Sequence, residues 1–178
     1  ISKMLNAVGR EIPEELIAQG WKPYAGAHAR DGQYIKKQGP RTRICEKPRE
    51  SKIVASIREA ITACGLKDGM TVSFHHHFRD GDFIVNMVMK EIVALGLKDI
   101  TIAASSLGAA HDPVAQYIED GVVTGLQTSG IRGRMGEVVS RGKLKTPAIL
   151  RSHGGRVRAI EEGDVHIDVA FIGSPTSD

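Results

Sequence analysis

The chain has 178 residues, 41% of them hydrophobic, which suits one globular domain with a real core. No apolar stretch approaches the roughly 20 residues that cross a bilayer, so a membrane role is not expected. The net charge of +3 is unevenly placed: residues 1–50 hold ten Lys/Arg against six Asp/Glu (+4), residues 51–178 fourteen against fifteen (−1). The acids are interspersed among the bases and aromatics reach only 4%, which argues against a nucleic-acid arm or a stacking platform. Cys45 and Cys64, with no Cys-x-x-Cys, read as reduced thiols of a cytoplasmic protein.

In chain order, "IPEELIAQG" predicts a short helix with Gly20 just beyond its end. Residues 20–50 contain Pro23, Pro40, Pro48 and four glycines, a density that interrupts helix and strand alike and predicts an extended arm. Residues 1–47 are thus an amino-terminal helix and arm, and residues 48–178 a separate domain. There Ile53, Ile57, Ala60, Ile61 and Cys64 recur at helical spacing up to Gly65. "MTVSF" (70–74) is a strand, and Asp82 is a good N-cap for a helix carrying Ile84, Met87, Val88, Ile92 and Leu95 before Gly96. "ITIAA" (100–104) is a second strand, and Asp112-Pro113 opens a short helix that Gly121 ends. "VVTGL" (122–126), "PAILR" and "HIDVAFIG" complete the strands, with "GEVVSRG" and "RVRAIEEG" as short helices.

Alternating strands and helices predict an α/β domain with a mostly parallel sheet. Right-handed crossovers place every strand's carboxyl end on one edge, where such folds bind ligands. The loops on that edge are "SFHHHFRDGD" (73–82), "ASSLGAAHD" (104–112), "QTSGIRGR" (127–134), "RSHGGR" (151–156) and "GSPTSD" (173–178). Gly allows a ligand oxygen to approach backbone N–H groups, and Arg offers a planar fork for carboxylate or phosphate, so the edge reads as an anion site. Arg79, Arg132, Arg134, Arg151 and Arg156 are the candidate cations, Arg132 foremost because two glycines flank its segment. A metal is not expected: in an extended segment His75 and His77 share a side that His76 does not, and no His-x-x-x-His or Cys cluster supplies the remaining ligands, which leaves only His111 or His153 to complete a set.

The runs "DGMTVSFHHHFRDGDFIVNMV", "SSLGAAHDPVAQYIEDGVVTGLQTSGIRGRMGEVVSRG" and "TPAILRSHGGRVRAIEEGDVHIDVAFIGSPTSD", with the arm before them, resemble the alpha subunit of citrate lyase, a citrate CoA-transferase. The resemblance implies exchange of acetate for citrate on a CoA-like thioester. That thiol belongs to the phosphopantetheine group of the gamma (acyl carrier) subunit, or to acetyl-CoA, and a beta (citryl lyase) subunit then cleaves the product. It also implies an oligomeric assembly and no cofactor bound by this chain itself. Carried onto this sequence, it makes His76 and Phe78 catalytic. His75, His77, Arg79, Ser105, Ser106, Ser129, Gly130, Arg132, Gly133, His153, Gly154 and Gly155 become substrate-binding. Two departures stand out. The Gly-x-Gly-Gly-Phe type loop of many superfamily members is replaced by His75–Arg79, and the glutamate nucleophile of other branches would lie beyond this chain. The chain therefore reads as an amino-terminal fragment, expected to be inactive alone. The alternatives are a sugar-phosphate isomerase or deaminase on a related fold, and a small-anion sensor domain. The sensor would need a helix-turn-helix that the broken arm does not offer.

Overall fold

The structure, a computed structural model, describes residues 4–25, 51–75 and 83–174. The chain divides into two units, residues 1–36 and 37–178, and the expected boundary at 47/48 lies outside the described residues. In the first unit an antiparallel bridge joins Leu5 to Glu11 around a turn that Asn6 closes, its Oδ1 accepting the N–H groups of Val8 and Arg10. Helix α1 (Glu14–Ala18) follows Pro13, as "IPEELIAQG" predicts.

The second unit is an α/β layer structure with five parallel strands: β1 (Thr71–Phe74), β2 (Ile100–Ala104), β3 (Val123–Thr128), β4 (Ile149–Leu150) and β5 (Val169–Phe171). Their order is β4-β3-β2-β1-β5, with α2 (Ile57–Ala63) ahead of β1. Helices α3 (Ile84–Ala94), α4 (Val114–Glu119), α5 (Gly133–Ser140) and α6 (His153–Glu162) make the connections. The predicted fold class is what is found. The last two strands are shorter than the sequence patterns, and β3 runs on to Thr128.

The strand order explains the layering. Going from β1 to β4 the chain steps one way, so right-handed crossovers put α3, α4 and α5 on one face. The step from β4 to β5 reverses direction and puts α6 on the other. The first face holds the main core, where Val72, Phe74, Ile102 and Leu126 pack with Ile61 of α2, Val88 and Ile92 of α3, Ile118 of α4 and Met135 of α5. Burying each such side chain is worth about 1.5–3 kcal/mol. The second face has only a small apolar cluster, Ala103 with Ala159 and Val165. Its other strand positions are polar or small, among them Ser73, Thr101 and Gln127.

Local signals fix the helix ends. In α2, Ser56 Oγ accepts the Glu59 N–H at 3.1 Å and Glu59 Oε2 accepts the Ala55 N–H at 2.9 Å, a reciprocal cap. That cap starts the helix at Ile57, so Ile53, expected on its buried face, is 91% exposed. Gly65, Gly96 and Gly121 all follow helix ends in the left-handed region, as predicted. Helix α3 begins after Phe83, while its expected cap, Asp82, lies outside the described residues.

Candidate functional site

The carboxyl ends of the strands bring the loops after β2 and β3 side by side. Their backbones continue the parallel pairing past the strand ends: Ser129 N–H donates to Ser105 O at 3.2 Å, Leu107 N–H to Gly130 O at 2.9 Å and Arg132 N–H to Leu107 O at 3.1 Å. Gly130 lies against Ser106, where a Cβ would make ordinary contact with its Oγ at 3.6 Å. Ser105, Ser106, Ser129, Gly130 and Arg132 are thus brought together. The expectation of backbone donors is narrowed, because Ser129 and Arg132 N–H are engaged by these carbonyls and Gly130 N–H by Thr128 Oγ1 at 3.4 Å. What remains is side-chain chemistry. Ser129 Oγ is buried without a hydrogen-bond partner, and Arg132 is exposed, with no partner among the described residues.

The arginines separate into classes. Arg134 is structural: its guanidinium reaches Glu119 Oε2 at 2.7 Å and Gln116 Oε1 at 3.1 Å, tying α5 to α4. Arg132 occupies the N-cap position of α5 beside an open cleft of about 650 Å³, lined by Ile131, Val139, Arg141 and Leu150 among others. Arg151 and Arg156 lie on the opposite face of the sheet. Arg151 donates to Gln127 Oε1 at 2.6 Å; Arg156 donates to Ser73 Oγ at 2.8 Å and Ala103 O at 3.2 Å. Burial lowers the proton affinity of Arg156 below the usual arginine range.

Two segments expected as loops are helix starts. Gly133 and Arg134 form the first turn of α5, which begins three residues before "GEVVSRG". Gly133 has φ 64° and closely approaches the Asp112 carboxylate, which accepts the Arg134 N–H at 2.9 Å. That end of α5 is therefore filled by a protein carboxylate rather than left open to a ligand. "SHGGR" likewise winds into α6, with Ser152 Oγ accepting the Gly155 N–H at 3.0 Å. His153 and Gly154 occupy its exposed first turn, where the Gly154 N–H has no intrahelical acceptor.

His75, at the end of β1, is exposed. The calls on His76, His77, Phe78 and Arg79 lie outside the described residues, as does most of the 173–178 loop. Among the described residues no cluster of three or more His, Cys, Asp or Glu could hold a metal, and no helix is long and apolar enough to cross a membrane. Cys64 is a free, exposed thiol.

Sequence reasoning placed His111 only as a possible metal ligand and did not anticipate its burial. His111 is 2% exposed, closes a 3-10 turn (Ala109–His111), and accepts the Gly108 N–H at Nδ1 at 3.0 Å. Its neutral ring therefore carries the proton on Nε2, which is buried without a partner. Asn86 Oδ1 is also buried and unpartnered, while its Nδ2 donates to Ala110 O at 2.7 Å. The only sequence signal was a histidine in a loop on this edge.

Comparison with known proteins gives consistent relatives. The family model for citrate lyase, alpha subunit (CitF), matches residues 50–178. The citrate lyase alpha chain of Escherichia coli is 52% identical over 133 residues, covering 75% of this chain and 26% of that protein. That of Klebsiella pneumoniae is 42% identical over 163 residues, covering 92% and 30%. The crystal structure of an alpha subunit of citrate lyase from Streptococcus mutans, in complex with citrate, superposes with a TM-score of 0.84 at 45% identity, covering 96% of this chain and 32% of that one. The chain thus spans between a quarter and a third of the length of these relatives.

Proposed function

The chain belongs to the citrate lyase alpha-subunit family, and on that premise we propose that it contributes the citrate-binding edge of a citrate CoA-transferase, within a cytoplasmic multi-subunit citrate lyase. The observation that carries this reading is the unpartnered Arg132 at the carboxyl edge of the sheet, next to the paired Ser105–Leu107 and Ser129–Arg132 segments.

The reaction exchanges acetate for citrate on a thioester carried by an acyl-carrier thiol, which is a substrate of this subunit. A citrate carboxylate oxygen attacks the acetyl carbonyl carbon, the thiolate leaves, and a mixed anhydride results. The thiolate then attacks the citryl carbonyl, releasing acetate and leaving the citryl thioester. Atoms balance with no oxidant, metal or acyl-enzyme. Each attack develops an oxyanion, for which donors fixed in advance are the most effective stabilisers. Citrate near neutral pH is close to a trianion, so its desolvation must be offset by charge-assisted bonds. Arg132 serves one carboxylate. Ser106 and Ser129 belong to the paired segments next to it. The beta subunit cleaves the citryl thioester afterwards.

The test uses the full-length alpha subunit with citrate and an acetyl thioester, following the citryl thioester by mass spectrometry. Formation of citryl thioester with equimolar release of acetate is expected. Citrate binding without exchange in the assembled complex would overturn the reading.

A further inference from the structure

Arg151 and Arg156 come from different elements, β4's carboxyl end and the first turns of α6, yet line one small cavity with Ala103, Gln127, Thr128 and Val165. Their recorded partners are all neutral: Gln127 Oε1, Ser73 Oγ and the Ala103 carbonyl. Among the described residues no carboxylate pairs with either. Two guanidiniums line one cavity and Arg156 is partly withdrawn from water, so an anion there would offset uncompensated positive charge. The amino end of α6 adds its partial positive charge at the same edge, where Gly154 and Gly155 bring no bulky side chain. No acid of the described residues lies in this lining.

The cavity's enclosed volume, about 10 Å³, is room for a single oxygen atom. A guanidinium fork matches a carboxylate or a phosphate, and the carboxylate is taken here from the functional reading above. The place is also informative. Arg151 N–H pairs with Thr128 O, so Arg151 lies beside the strand whose loop carries Arg132.

Resting on the functional reading above, we infer that Arg151 and Arg156 form a second carboxylate subsite on the α6 face of the sheet, which selects a polycarboxylate over a ligand with fewer carboxylates. Arg132 supplies the first fork from the α5 side and this pair supplies the second. A monocarboxylate such as acetate satisfies only one of the two, so it is released while citrate is held.

The experiment is calorimetric titration of the full-length alpha subunit and its Arg151→Gln, Arg156→Gln and Arg156→Lys variants with citrate, with acetate and with inorganic phosphate. Both glutamine variants should weaken citrate at least tenfold while changing acetate less than threefold, so the preference for a polycarboxylate collapses. Arg156→Lys, which keeps the charge without the fork, should fall between. Arg151 has one neutral side-chain partner, so Arg151→Gln carries the test should the Arg156 variants fail to fold. Unchanged citrate affinity in folded Arg151→Gln and Arg156→Gln would overturn the subsite while leaving the functional reading intact. Phosphate binding that depends on this pair and outcompetes citrate would overturn the carboxylate assignment. Absence of citrate binding to the unaltered subunit would overturn the functional reading itself, and this inference with it.

Discussion

Asp112 and Gly133 meet across the sheet edge: the carboxylate enters the space a side chain at Gly133 would need, and from there holds the amino end of α5 through the Arg134 N–H at 2.9 Å. The contact joins the loop after β2 to the loop after β3 and fixes where Arg132 stands.

The two residues should therefore be energetically coupled. Gly133→Ala places a Cβ in the left-handed region and against the carboxylate, costing about 1–2 kcal/mol for conformation alone. Asp112→Ala removes a cap worth about 1 kcal/mol. Denaturant unfolding of both single variants and the double variant should give a combined loss smaller than the sum, because the clash disappears with the carboxylate. Strict additivity would show that the approach is not strained.

Adjacent arginines should behave differently. Arg132→Ala should raise the citrate dissociation constant ten- to a hundredfold, about 1.5–3 kcal/mol for a charge-assisted bond, and leave the melting temperature unchanged. Arg134→Ala should do the reverse, since it gives up a partly exposed pair with Glu119 worth at most about 1 kcal/mol. Titration and thermal melts on the same samples decide it.

Acid stability should carry the mark of Asp99. The hydrogen bond from Thr124, and then the charge of Lys145, hold its carboxyl below the ordinary carboxylate range. A depressed carboxylate stabilises the fold above its unfolded pKa of about 4, and the contribution is lost as pH falls through the lower folded value. Asp99→Asn, which tolerates the φ of 59° at this position, should thus melt lower than the parent at pH 5–8 and converge with it below pH 4. A constant offset down to strong acid would contradict this origin.

Protein purified without a tag should contain no stoichiometric zinc. Elemental analysis finding one zinc per chain would assign the histidines after β1 a metal-binding role.

The parallel sheet is legible in the sequence because a strand buried on both sides leaves a short unbroken apolar run, as "ITIAA" does. "GEVVSRG" and "RVRAIEEG" mark α5 and α6, but their starts at Gly133 and His153 are not legible. "GIRGR" and "SHGGR" have the composition of loops, and glycine lowers helix propensity by about 1 kcal/mol per residue. Tertiary contacts overrule that preference: Asp112 caps α5 from 22 residues away, and Ser152 caps α6 locally. For the same reason Asp112-Pro113, a helix opening on paper, also serves a second helix. Arg134 and Arg132 are equivalent as sequence and become distinct only once Glu119 and Gln116 take one of them. Two arginines lining one cavity beside Ala103 with only neutral partners could not be foreseen, because their meeting depends on the reversal of strand order.

That reversal has a consequence for how the chain is made. The strand beside β1 on its far side is β5, and the Thr71 N–H is held by the Asp168 carboxylate across 97 residues. At a synthesis rate of about 5–20 residues per second, β1 waits on the order of ten seconds before its second neighbour leaves the ribosome. Throughout that interval a central, apolar strand has an open edge able to pair with another chain. Closing it is also the most distant pairing in the sheet, which makes it the slow event in folding.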